Sequence, residues 1–136
     1  MQATAQSIYA VFALAYISTK NKPVKASEIA SIYPIPRRFL ELTLIKLKNS
    51  KILNSKKGPN GGFFLTKTPK EISLFDILRE TENNLTLFDC EKYLQSNCKI
   101  KPIFEIINEE YIKLLKSITL EDIIKSQPEE ILDFVI

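Results

Sequence analysis

Two adjacent cation pairs, Arg37-Arg38 and Lys56-Lys57, and two cysteines, Cys90 and Cys98, carry the plainest capacity for chemistry in this chain of 136 residues. Guanidinium groups suit bidentate contact with guanine O6 and N7 or with a phosphate, and ammonium groups meet a phosphate backbone as point charges. The thiols suit metal ligation, disulfide exchange or no reaction at all. Histidine is absent from the chain. That removes the usual general base and the commonest metal ligand, so a Ser-His-Asp triad and a Cys2His2 finger are both excluded. Glu109-Glu110 and Glu129-Glu130 are adjacent in sequence, and neighbours on a helix point apart rather than converging on one substrate. Binding, not catalysis, is the expectation.

The formal net charge is only +3, but it is unevenly placed. Residues 1–70 hold twelve basic groups against two acids, Glu28 and Glu41, for +10; residues 71–136 hold seven basic against fourteen acidic groups, for −7. A basic half of this strength points to a polyanion, with nucleic acid ahead of an anionic membrane surface. The apolar stretch near the start lacks a basic flank and is interrupted by Tyr and Ser, so neither a signal peptide nor a membrane span is expected. A cytoplasmic protein with reduced thiols is the consequence.

The elements that would position these groups follow from apolar spacing. Ile8, Val11, Phe12, Ala15 and Tyr16 predict a mostly buried helix over Thr4 to Thr19, with Tyr9, Ala13 and Ile17 widening its stripe. Ala26 to Ile32 reads as a short second helix with Ile29 and Ile32 inward, stopped by Tyr33-Pro34. Pro36 opens a third helix from within its first turn, running to about Ser50. Phe39, Leu40, Leu42, Leu44, Ile45 and Leu47 would face the core, leaving Arg37, Arg38, Lys46 and Lys48 outside. The period then changes to two, with short strands at Ile52 to Ser55 and Phe63 to Leu65. Gly58-Pro59-Asn60-Gly61-Gly62 closes this hairpin, and Asn60-Gly61 is the expected turn because both residues tolerate positive φ. All three glycines of the chain fall there.

The fold class is therefore mostly α with a small β-hairpin: a winged helix-turn-helix over residues 1–70, followed by a dimerisation and sensor region over 71–136 within one compact protomer. Ser73 and Thr119, each three residues before an Asp, have capping-box spacing and open two further helices. Asn83 to Asn97 reads as a loop. Between Lys101 and Ile118 the residues Phe104, Ile107, Tyr111, Leu114 and Ile118 form a short a/d seam suited to pairing with a partner helix. In a helix-turn-helix the N-terminal end of the second helix enters the major groove, which brings Pro36, Arg37, Arg38 and Phe39 to the duplex. Lys56, Lys57, Gly58, Asn60, Gly61 and Gly62 form the wing, narrow enough for a minor groove or a phosphate backbone. No Lys-Ser/Thr follows the glycines at Walker spacing, so a nucleotide cradle is not the reading.

Lys57-Gly58-Pro59-Asn60-Gly61-Gly62-Phe63-Phe64-Leu65, preceded by Ile35-Pro36-Arg37-Arg38-Phe39-Leu40 and followed by Glu71-Ile72-Ser73-Leu74, resembles the Rrf2 family of bacterial winged-helix transcription regulators. The resemblance extends to Ser117-Ile118-Thr119-Leu120-Glu121-Asp122. It implies a homodimer crossed through the long helix, with two wings on a roughly palindromic duplex operator, acting as a repressor that responds to redox, iron-sulfur or cysteine status. The family commonly has Ser at the place of Pro36 and Tyr at that of Phe39, and basic residues where Ala5, Gln6 and Ser7 stand. Hydroxyl and cationic contacts to phosphate are lost at those places, and the operator sequence does not carry over.

Cluster-binding members of the family use three loop cysteines and a fourth ligand. Here only Cys90 and Cys98 are present, so no cofactor is expected; an iron-sulfur cluster would need a carboxylate such as Asp89 or Glu91, or ligands from both subunits. The remaining readings are thiol sensing and two inert thiols. Asp89 and Glu91 disfavour a thiolate at Cys90, whereas Lys99 and Lys101 flank Cys98 and make it the better sensor. The C-terminal Phe134, Val135 and Ile136 resemble the tail by which serine acetyltransferases enter cysteine synthase, a partner of one family member; simple packing on the dimer is the plainer reading. The alternative to a DNA reader is a protein-interaction module that docks through this tail.

Overall fold

The computed structural model describes residues 3–94 and 99–126. Its elements are α1 (Ala5–Ser18), α2 (Ala26–Ile32), α3 (Arg37–Asn49), β1 (Leu53–Lys56), β2 (Gly62–Leu65), a 3-10 turn (Pro69–Glu71), α4 (Leu74–Thr81), the single-turn α5 (Cys90–Tyr93), α6 (Lys101–Ser117) and α7 (Leu120–Lys125). Helix, helix-turn-helix and hairpin succeed one another as the residue periods imply.

The first helix packs on the core along most of its expected stripe, but its most fully buried positions are not those of its largest residues. Ala10, Ala13, Leu14 and Ile17 are buried, while Ile8 is exposed. Alanines at 10 and 13 let α1 approach α3 closely. Val11, Phe12 and Ala15 pack half-buried against this core, and with Ile8 they also line an apolar groove closed by Leu74, Leu78 and Ile123. In α2, Ile29 is buried but Ile32, the last helical residue, is exposed, because the chain turns there and Tyr33 packs on Phe12 in a tilted arrangement with ring centroids 4.0 Å apart.

Pro36 is the N-cap of α3 and not part of its first turn. The buried stripe is Leu40, Thr43, Leu44 and Leu47. Phe39, Leu42 and Ile45, expected inside, are exposed. A helix packed on one side buries a limited arc, and Thr43 occupies part of it, its hydroxyl satisfied by donation to the Phe39 carbonyl at 2.9 Å. The helix ends in a Schellman arrangement: Ile52 N–H donates to Leu47 O and Lys51 N–H to Lys48 O, with Lys51 at φ 69°. This reversal aims the chain into β1.

The strands pair antiparallel, Leu53 opposite Leu65 through Lys56 opposite Gly62. Val24 adds a single-residue third strand, the third rung across the sheet at Phe63, with which it exchanges hydrogen bonds of 2.9 and 2.7 Å. The turn differs from the expected one. Gly61 N–H donates to Gly58 O at 3.0 Å, so Pro59 and Asn60 are the central pair; the positive φ values fall at Gly58 and Gly62, not at Asn60 and Gly61. Proline at the first central position presets this turn with negative φ. A Cβ on Gly62 would lie 2.5 Å from the Val24 backbone, so glycine is what admits the third rung.

The second half closes on the first. Leu74 N–H donates to Ile118 O and Leu120 N–H to Ile72 O, both at 2.8 Å, and Ile72, Ile77 and Leu120 join the core of α1 and α3. The capping boxes at Ser73 and Thr119 are formed. The segment expected as a plain loop contains the turn of α5, capped by Asp89, which accepts from Lys92 N–H at 3.2 Å.

Candidate nucleic-acid interface

Arg37 and Arg38 stand exposed at the first turn of α3, directly after the proline cap. Arg37 Nε donates to Glu41 Oε1 at 3.0 Å, one helical turn on, so this guanidinium is held along the helix with its other donors outward. Glu41 was not singled out by sequence, although its spacing from Arg37 is that of a stabilising helical pair. Phe39 sits edge-on to Tyr9, ring centroids 5.6 Å apart, which fixes the start of α3 against α1.

In the wing Lys56, Lys57, Gly58, Pro59 and Asn60 are exposed, while Gly61 is buried and Gly62 half-buried. Gly61 packs against the Lys56 carbonyl too closely for any Cβ. The glycines thus shape the tip and the lysines carry its charge. Lys48 Nζ donates to Ser55 Oγ at 2.7 Å and ties the end of α3 to β1. Val24, Glu41 and Lys48 are the positioning residues that pattern reading missed, and only the Arg37 to Glu41 spacing offered a signal.

The sensor and dimer residues separate. Cys90 lies half-buried at the start of α5; Cys98 lies outside the described residues, as do Phe134, Val135 and Ile136. The Cys90 loop is clasped to α6 in three ways. Asn108 Oδ1 accepts from Leu87 N–H and Phe88 N–H, both at 3.0 Å, and its Nδ2 donates to Phe88 O at 2.9 Å. Phe88 stacks on Phe104 at 4.3 Å, and Lys101 pairs with Glu91 at 2.9 Å. The Lys101 hydrogen bond and charge hold the Glu91 carboxyl below its ordinary range.

A four-ligand iron-sulfur cluster does not fit this donor set. The chain has two cysteines and no histidine, Asp89 and Glu91 are engaged by Lys92 and Lys101, and among the described residues no three His, Cys, Asp or Glu side chains converge. On α6, Phe104 and Tyr111 turn toward their own protomer, as does Ile118 at its C-cap, whereas Ile107 and Leu114 are exposed together with Ile103 and Ile106. No helix among the described residues is long and apolar enough to cross a membrane.

A basic helix start and a basic glycine-shaped hairpin, both carried by a helix-turn-helix core, define a winged-helix DNA-binding protein. Residues 3–126 match the family model described as Rrf2, iron-dependent transcriptional regulator, and the chain belongs to the Rrf2 family of transcriptional regulators. It is 28% identical over 137 residues to the HTH-type transcriptional regulator NsrR of Halalkalibacterium halodurans, covering 95% of this chain and 94% of that protein. Its fold is similar to that of CymR, the global cysteine regulator of B. subtilis, with TM-score 0.81 and 23% identity over 91% of this chain and 96% of that one. The T. potens IscR structure matches with TM-score 0.72 and 25% identity, covering 96% of each chain.

Proposed function

We propose that this chain acts as a homodimer that reads a roughly palindromic duplex operator and represses transcription. The observation that supports it most is the exposure of two cation pairs on one helix-turn-helix and wing: Arg37 and Arg38 at the uncovered start of α3, and Lys56 and Lys57 on the wing. Arg37 and Arg38 make the base and phosphate contacts, and the wing lysines neutralise the flanking backbone. The exposed aliphatic face of α6, Ile103, Ile106, Ile107 and Leu114, pairs with its copy in a second protomer.

Duplex binding measured across a salt series tests the DNA reading. Wild type should lose affinity steeply as salt rises; Lys56→Ala with Lys57→Ala should lower the log–log slope by about two per protomer, and Arg37→Ala with Arg38→Ala should abolish specific operator binding while leaving the dimer intact. Affinity unchanged in both double variants would sink the assignment and favour a protein-interaction module. The input this chain retains is thiol chemistry at Cys90 and Cys98, not a cluster. Operator affinity that is the same with and without a thiol oxidant would leave the two thiols inert.

A further inference from the structure

The recognition helix carries an apolar pair that neither the core nor the charge pattern uses. At 3.6 residues per turn, Arg38, Leu42 and Ile45 fall within roughly 40° of the direction opposite the buried stripe of Leu40, Thr43, Leu44 and Leu47. Leu42 is 51% exposed and Ile45 47% exposed. Phosphates are bound by cations and N–H groups, so aliphatic side chains on this face gain nothing from the backbone. Of the groups that base edges present in the major groove, the C5 methyl of thymine is the apolar one.

We infer that Leu42 and Ile45 read thymine methyl groups in the operator, next to the base contacted by Arg38. This rests on the DNA reading above and sharpens it to a specificity. The surrounding charge selects the occupant: Arg37, Arg38, Lys46 and Lys48 share the helix with the two aliphatic residues, its acid Glu41 is paired with Arg37, and the wing that follows adds Lys56 and Lys57, which repels a second copy of the same face and attracts a polyanion. A contact centred on two exposed aliphatic residues inside a cationic rim fits a groove floor dotted with methyl groups.

The test begins with selection of bound duplexes from a randomised library by the full chain. Each thymine of the selected motif is then replaced singly by deoxyuridine, which removes the methyl and nothing else. Wild type should lose about fourfold in affinity at one or two thymines per half-site, the worth of one buried methyl-sized group. Leu42→Ala or Ile45→Ala should remove that sensitivity at its own thymine, and Leu42→Gln should shift the preference there toward adenine. Both positions are exposed, so truncation leaves the core intact. A selected motif indifferent to every deoxyuridine replacement overturns the inference and leaves DNA binding standing, as does full sensitivity retained in both alanine variants. Weakened self-association in Leu42→Ala with unchanged duplex affinity assigns the face to protein contact and also overturns it. Failure to select any duplex overturns the DNA reading along with it.

Discussion

Replacing Glu82 should unfasten the N-terminus of α1 and cost more than any surface charge in the protein. Glu82 is 9% exposed and closes α4. Its Oε2 accepts from Thr4 N–H at 3.1 Å, from Thr4 Oγ1 at 2.6 Å and from Ser7 Oγ, which is itself 2.6 Å from Thr81 Oγ1. The first turn of α1 has no acid of its own, so this carboxylate from across the fold supplies the negative charge that a helix N-terminus favours. Burial is the largest single influence on its acidity and pushes the pKa up; the Ser7 and Thr4 hydrogen bonds and the field of Lys46 together outweigh it, and the carboxyl titrates below its ordinary range. Glu82→Ala leaves these donors facing a void, and with roughly 1–3 kcal/mol for each stranded group, partly recovered by hydroxyl rotation and water, the cost is about 3 kcal/mol. Glu82→Gln keeps an acceptor and forfeits the charge, for about 1–2 kcal/mol. Because the folded pKa is depressed, the carboxylate's contribution is fully present above the unfolded value near about 4.3 and is lost as pH falls through the folded value. Urea unfolding followed by far-UV circular dichroism, at fixed protein concentration and at steps from pH 7.5 to 3, reads both effects. A cost below about 1 kcal/mol for Glu82→Ala at pH 7.5, or a wild-type to Gln gap that stays constant down to pH 3, would refute the reasoning.

Gly62→Ala should destabilise the fold by at least about 2 kcal/mol, because φ 143° is strained for a side chain and its Cβ would strike the Val24 backbone; a change within about 0.5 kcal/mol by thermal unfolding would count against that packing. Ile103→Glu combined with Ile107→Glu should give a monomer with unchanged helix content, measured by light scattering and circular dichroism, and a persistent dimer would move the interface elsewhere. Asn108→Ala should speed hydrogen exchange at the Leu87 and Phe88 amides, whose acceptor it removes, while leaving the Thr4 amide slow; uniform exchange across both sites would contradict separate anchoring.

Element types were legible where one local rule dominates. Capping boxes announced α4 and α7, and the glycines announced the wing. What failed was orientation. Large apolar residues marked Ile8 on α1 and Phe39, Leu42 and Ile45 on α3 as core, but fully buried places went to Ala10 and Thr43, because close packing favours small side chains where space is short and a satisfied hydroxyl can be buried. The α6 seam shows the same effect: Phe104 and Tyr111 belong to the apolar pattern, yet the protomer turns them inward against its own loop and α4. Tyr111 is desolvated there and lies in the field of Glu82, which raises its pKa. Val24 was invisible because a single strand residue has no period, and Glu82 because its donors are more than seventy residues away in sequence.

These placements set the order in which the molecule would yield. The segment bearing Cys90 begins at Glu82, anchored to α1, and is clasped further on to α6 by Asn108, the Phe88 stack and the Lys101 to Glu91 pair. Phe88 and Glu91 are exposed, so solvent weakens both the stack and the ion pair. The Glu82 anchor is buried and charge-assisted, and each of the two is weaker than it. The stack and the ion pair therefore loosen before the Glu82 anchor does, while Asn108, with three hydrogen bonds of its own, keeps the segment on α6. Since α1 holds the start of α3 through Tyr9 and Phe39, that early loosening leaves the support of Arg37 and Arg38 in place.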